Sequence, residues 1–291
     1  MNKKILLTFV IILSTMFLTS MTFAQSLVIV SDGTTQWSAD GNSWNNATAT
    51  WVHPSWPTIS GATWIWDSNQ TDSQWEYANV PDGGWYFKTT FNVPNCTDMG
   101  TLTGILYVDA DNSESSIING HFLGQDGSLN KSGPDNYEWN TTEQYNLTGK
   151  LIKGENVLIF RALNFFDSGL YNENPAGLIF KADITYNDLS KMDSDHDGVN
   201  DCIDKCPGTT ADVLLGILGT NRYKWNGTNW TTNLPKGKGN GFMPTMANTE
   251  GCSCTQIIKI LKSETGDNYC GHLAFGCSRS IFKEEWYPRF A

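Results

Sequence analysis

Between residues 25 and 190 the chain alternates short apolar runs with turn residues. The runs at 64–66, 84–91, 102–108, 157–162 and 178–184 are each bounded by Gly, Pro, Asn or Asp. Runs this short and this regularly interrupted predict the strands of a β-sandwich rather than alternating helices and strands. Within 84–91, Tyr86, Lys88 and Thr90 alternate with Phe87, Thr89 and Phe91, the period of a strand with one wet face. Asn119-Gly120, set between Ile118 and His121-Phe122-Leu123, predicts a tight hairpin turn. Past residue 209 the pattern changes. Trp225 and Trp230 flank Asn226-Gly227 as a small hairpin would, and 255–261 has helical period with Ile257, Ile258 and Leu261 on one face. A second short helix is expected at 280–286.

The first 24 residues read as a signal peptide. Lys3 and Lys4 give a basic start, the stretch 5–18 is apolar, and Thr22-Phe23-Ala24 ends on a small residue suited to cleavage. No later run is long and apolar enough to cross a bilayer, so an exported chain without a membrane anchor is expected. Four segments follow from these patterns. They are the signal at 1–24, a β-sandwich at 25–188, an Asp-rich loop at 189–208 and a small Cys-containing α+β tail at 209–291. The fold class expected is therefore mainly β.

The Asp-rich loop carries the sharpest chemistry. From Asp193 to Asp204 the chain reads Asp-Ser-Asp-His-Asp-Gly-Val-Asn-Asp-Cys-Ile-Asp, with carboxylates at positions 1, 3, 5, 9 and 12 and Gly198 at position 6. That spacing converges hard oxygens on one cation while glycine supplies the sharp turn. The expected ligands are the carboxylates of Asp193, Asp195, Asp197, Asp201 and Asp204 and the carbonyl of Val199, and the expected ion is Ca2+. Magnesium fits less well because it keeps its waters; a solvated acidic linker is the alternative without a metal. Asp204 stands where an EF-hand usually has the longer Glu, and no long amphipathic helix flanks the loop.

Charge narrows the partners. The formal net charge is −11, and residues 25–190 hold 6 Lys and Arg against 19 Asp and Glu. Such a surface repels nucleic acid and anionic membranes. Seven Cys remain after export, six of them beyond residue 200. Cys202, Cys206, Cys252, Cys254, Cys270 and Cys277 are the disulfide candidates, which leaves Cys96 as the odd one. A zinc site from Cys252, Cys254, Cys270, His272 and Cys277 is the competing reading, although it lacks paired Cys-x-x-Cys knuckles.

Residues 193–208, continuing from the loop through Asp204-Lys205-Cys206-Pro207-Gly208, resemble the thrombospondin type 3 repeat, which implies a secreted, calcium-binding chain linked with cell adhesion. Gly-Ala-Thr-Trp-Ile-Trp at 61–66, Val-Asp-Ala-Asp-Asn at 108–112, Ile-Ile-Asn-Gly at 117–120 and Lys-Gly-Glu-Asn-Val-Leu at 153–158 are similar to galactose-binding-like jelly-roll domains. That resemblance implies a sandwich that often binds carbohydrate. Nine of the twelve Trp lie in this stretch, and Trp37, Trp44, Trp51 and Trp56, at irregular spacing in polar sequence, are the candidates for stacking on a sugar ring. Asp109, Asp111 and Asn112 read either as a solvated turn or as ligands to a second calcium or polar group. A nucleophile elbow, a zinc-protease helix and a phosphate loop are all missing from the sequence. The expectation is thus a secreted calcium-binding adhesion or carbohydrate-binding protein without catalysis, with a glycan or cell-surface polysaccharide as partner. A purely structural surface protein is the alternative, and an extracellular hydrolase ranks below both.

Overall fold

The computed structural model describes residues 24–67, 83–127, 139–165, 174–234, 241–266 and 269–290. Residues 1–23 of the expected signal segment lie outside them, as does Trp75. The chain divides into two compact units, Met1–Asn187 and Asp188–Ala291.

The first unit is a sandwich of two antiparallel sheets. Its strands are β1 (Ala24–Val30), β2 (Gln36–Ser38), β3 (Asn45–Asn46), β4 (Thr48–Ala49), β5 (Ile65–Trp66), β6 (Gly83–Val93), β7 (Thr103–Asp111), β8 (Ser113–Ile118), β9 (His121–Asp126), β10 (Glu143–Asn146), β11 (Gly154–Asn164) and β12 (Gly177–Asn187). One sheet runs β10-β7-β12-β5-β4, with β1 also on β12; the other runs β3-β2-β6-β11-β8-β9. The period-2 pattern sets the two faces. Leu106, Val108 and Ala110 of β7, Leu158, Phe160 and Ala162 of β11, and Phe180, Ala182 and Ile184 of β12 all point inward. Phe160 and Phe180 stack across the sheets at 4.5 Å between ring centres. Each such side chain contributes about 1.5–3 kcal/mol by leaving water. The Asn119-Gly120 turn closes β8 onto β9 with both residues at positive φ, 50° and 80°, the conformation a two-residue hairpin of this hand needs. The Asn119 amide bonds Asn156 Oδ1 at 2.8 Å and its carbonyl oxygen accepts from Val157 N, so the turn is anchored from the neighbouring strand.

The second unit holds its own core of Val199, Tyr223, Trp225, Trp230, Ile257, Ile258, Leu261, Phe282 and Trp286. A small sheet, β14-β13-β15, joins β13 (Arg222–Trp225), β14 (Trp230–Thr232) and β15 (Cys277–Ser278). The Trp225–Trp230 hairpin forms, with Gly227 at φ 95°. The predicted helix is α1 (Cys254–Thr265), buried through Ile257, Ile258 and Leu261 and ended by Gly266 at φ 75°. A short α2 (Cys270–Phe275) was not legible in the sequence, and 281–286 is a π-helical turn rather than a regular helix. The Asp-rich loop belongs to this unit, since Val199 lies in its core and Lys205 N donates to Glu250 O. No helix among the described residues is long and apolar enough to cross a membrane.

Two disulfides, Cys206–Cys252 and Cys254–Cys277, tie the loop and β15 to the start of α1. Cys96 is also disulfide-bonded, as is Cys202, which corrects the expectation that Cys96 is left over. The side chain of Cys270 lies outside the described residues. The zinc alternative fails on the same facts: Cys252, Cys254 and Cys277 are spent in disulfides, and His272 Nδ1 faces the Arg222 guanidinium.

Candidate functional site

The acidic loop brings Asp193, Asp195 and Asp197 together. One carboxylate oxygen from each lies within 4.8 Å of the others, the one group of possible metal ligands that converges in this way among the described residues. The turn that gathers them passes through His196 at φ 61° and Gly198 at φ 93°. Gly198 N donates to Asp193 Oδ2 at 3.0 Å and Val199 N to Asp197 Oδ1 at 2.8 Å. The other Asp197 oxygen is buried with no donor. Asp204 approaches the same place, because a Cβ on Gly251 would fall 1.9 Å from its Oδ1 and 3.3 Å from Asp197 Oδ2. Asp201 is turned away and accepts from both the backbone and hydroxyl of Ser194, at 2.8 and 2.6 Å. Val199 keeps its side chain in the core.

The electrostatics match that geometry. Burial, reinforced by Asp195, Asp204 and Asp193, pushes Asp197 up to about 6, and burial raises Asp204 in the same direction. An acceptor-only oxygen buried without a donor, ringed by like charges, is satisfied by a hard cation. The donor set is all oxygen, which suits calcium. Asp193, Asp195, Asp197 and Asp204 would hold it.

The first unit carries a second concentration of polar chemistry on the outer face of its β10-β7-β12 sheet. Thr103, Ile105, Tyr107, Asp109 and Asp111 share that face of β7 by alternation, opposite Thr185, Asp183, Lys181, Ile179 and Gly177 of β12. One end is an open groove of about 560 Å³ lined by Thr103, Tyr107, Gln144, Asn146, Asp183 and Thr185. The other end is covered. Trp56, Ile59 and Trp64 pack on Ile179, with Tyr107 and Trp139 against them. Trp56 and Trp64 lie 4.3 Å apart between ring centres, and His53 meets Trp139 at 5.8 Å and Trp51 at 5.7 Å. Gly177 makes room for this, because a Cβ there would meet Trp64 at 2.6 Å.

Asp109 and Asp111 lie beneath that cover, and a third buried acid, Glu114, lies on the core side of the sandwich. Asp109 is 1 % exposed and neither of its oxygens has a hydrogen-bond partner. Asp111 accepts from the Trp56 indole N–H at 3.1 Å. Glu114, on β8, accepts from the Tyr145 hydroxyl at 2.9 Å and the Ser116 hydroxyl at 2.8 Å. Burial is the main force on all three. It pushes Asp109 up to about 9, with Asp126, Asp111 and Glu114 adding to the rise, Asp111 up to about 7 and Glu114 up to about 8. The sequence allowed 109–112 to be a solvated turn; instead these residues are buried, because the 50–64 segment folds over them. Period 2 places Asp109 and Asp111 on the Tyr107 face, but nothing local announces the cover. Glu114 and Tyr145 were missed for the same reason, being joined only by folding.

The four expected stacking Trp are separated. Trp51 and Trp56 meet in the cover, but Trp56 is buried and its N–H is engaged. Trp37 packs against the main core from β2, and Trp44 is capped by Lys88, whose Nζ lies 4.1 Å from the ring centre.

No protein-family model and no curated protein sequence matches the chain. Among solved structures it is similar to an FMN-binding beta-glucuronidase from Facaelibacterium prausnitzii (10 % identity over 55 % of this chain and 23 % of that one, TM-score 0.33). It is likewise similar to a putative beta-galactosidase from Bacteroides fragilis (14 %, 54 % and 23 %, TM-score 0.35). A beta-D-glucuronidase from Dictyoglomus thermophilum aligns at 10 % identity over 57 % and 28 %, with TM-score 0.31. The chain spans less than a third of the length of each, and likeness at this level carries neither activity nor substrate to it. These neighbours are glycoside hydrolases rather than adhesion proteins, and the expectation of an adhesion function is corrected accordingly.

Proposed function

We propose that the N-terminal sandwich is a carbohydrate-related module that seats a sugar on the outer face of its β10-β7-β12 sheet, and that the acidic loop of the second unit holds one structural calcium ion. The observation that carries the first part is the groove of about 560 Å³ where Tyr107 stands beside Gln144, Asn146, Thr103 and Asp183. An aromatic ring offers its face to the apolar C–H surface of a sugar, while amide, hydroxyl and carboxylate groups take its hydroxyls. The calcium part rests on the convergence of Asp193, Asp195 and Asp197 and on the buried, donorless oxygen of Asp197. It makes the loop a thrombospondin type 3-like element built into a folded unit. The disulfides accord with an oxidising compartment outside the cytoplasm.

A broad glycan array probed with the full chain tests the sugar reading. Retention on uncharged glycans that falls in Tyr107→Ala supports it, whereas a blank array overturns it. Glycoside turnover in the same preparation reports whether the module also acts on what it holds. For the loop, the melting temperature should rise with calcium as RT ln(1 + [L]/Kd), about 2.7 kcal/mol at one hundred times Kd. Asp195→Ala should abolish that rise, and an undiminished rise would remove the ligand assignment.

A further inference from the structure

We propose that the ion pair of Lys181 and Asp183 is the specificity element of the open groove, whose ligand is an uncharged sugar with two adjacent free hydroxyls. One hydroxyl donates to Asp183, and its neighbour accepts from Lys181. This deepens the carbohydrate reading above and rests on it.

Three observations lead there. First, the pair runs beside the apolar floor of the groove. Tyr107 and the exposed Ile105 line that floor, and the strand register sets Lys181 opposite Tyr107 and Asp183 opposite Ile105. Side chains directly opposed on one face stand about 4.5–5.5 Å apart at Cβ. A sugar ring lying over Tyr107 and Ile105 therefore meets the pair with its hydroxyl-bearing edge.

Second, the pair has hydrogen-bonding capacity left over. Lys181 Nζ lies 2.9 Å from Asp183 Oδ2, and the two side chains are 23 % and 38 % exposed. The ammonium has three hydrogens to give, and the carboxylate a second oxygen to accept with. Much of the groove's other capacity is used within the fold. The Thr103 and Thr185 hydroxyls bond each other at 2.9 Å, and Asn146 Oδ1 accepts from Thr148 N at 2.8 Å. A donor and an acceptor held side by side match two neighbouring hydroxyls, each able to do either. Third, charge disfavours the other sugar classes. Among the described residues Asp183 is the one charged side chain that lines the groove, and Lys181 balances it. A uronic acid would set its carboxylate against Asp183, and an amino sugar would set a second ammonium against Lys181. A neutral hydroxyl pair disturbs neither.

The test is calorimetric titration of the full chain, in chelator so that the acidic loop does not contribute. The probes are 1,4-linked trimers of glucose, galactose and mannose, each beside its 2,3-di-O-methyl ether and its uronic acid counterpart. At least one neutral trimer should bind. Its ether, which cannot donate to Asp183, and its uronic counterpart should bind on the order of tenfold more weakly or worse, the worth of one hydrogen bond to a charged group. Asp183→Asn leaves Lys181 without its counter-charge and should reverse the order of the trimer and its uronic counterpart, which loss of a merely structural contact would not do. If that variant does not fold, the wild-type comparison of trimer with ether decides. Equal binding of trimer, ether and uronic counterpart would overturn the specificity element while leaving the carbohydrate module intact. Binding of no trimer would also overturn it, and the module then stands or falls by the glycan array alone.

Discussion

Asp212 satisfies three backbone N–H groups at once. Its Oδ2 accepts from Trp225 at 2.6 Å and Cys254 at 3.2 Å, and its Oδ1 from Thr255 at 2.7 Å. Two of those donors are among the four that every helix leaves unpaired at its start, here that of α1, where a carboxylate also meets the positive end of the helix dipole. Asp212→Ala should therefore lower the stability of the second unit by about 2–3 kcal/mol in chemical denaturation, because the donors stay buried without an acceptor. The buried acids of the first unit behave in the opposite sense. Asp109, Asp111 and Glu114 titrate higher in the folded chain than in the unfolded one. The folded state then holds more protons between about pH 4 and pH 9, so stability is full below the unfolded values and falls as pH rises through that window. Asp109→Asn should flatten the slope of melting temperature against pH, most visibly between pH 7 and 9. A slope unchanged in the variant would place the linkage on Asp111 and Glu114 instead.

At the scale of elements, β9 and β10 are matched through a glycine. A Cβ on Gly124 would lie 2.1 Å from the Tyr145 ring, so only glycine lets that ring reach Glu114. Gly124→Ala is expected to cost about 1–3 kcal/mol by overpacking, with Tyr145 displaced, and near-ultraviolet circular dichroism would register the change. This element also marks how far the sequence could be read. The strands, the Asn119-Gly120 turn, the Trp225–Trp230 hairpin and α1 were legible because period and turn chemistry are local. The spacing of Asp193, Asp195 and Asp197 was legible as well, since one turn of chain gathers them. The departure of Asp201 toward Ser194 was not, nor the arrival of Gly251 beside Asp204 from 47 residues away. The cover over Asp109 was equally silent, because the 50–64 segment reads as polar loop and only the sheet beneath it decides which of its Trp are buried. α2 spans only six residues, too few for a period to declare itself.

Across the whole molecule, two separate cores imply two separable transitions. Calcium is proposed to act on one of them only. Differential scanning calorimetry should therefore show one transition that moves down on adding chelator and another that stays put; movement of both would argue against a loop that serves its own unit alone. The position of one disulfide sharpens this. Cys206 follows Asp204 by two residues, Cys252 follows Gly251 directly, and Gly251 is the residue that touches Asp204. Reductant and ion thus work on the same few ångströms of chain. Calcium should make the Cys206–Cys252 cross-link harder to reduce at equilibrium, and reduction of that cross-link should weaken calcium affinity by the same factor. In an oxidising compartment whose thiol poise and calcium supply both vary, the second unit would register the two together.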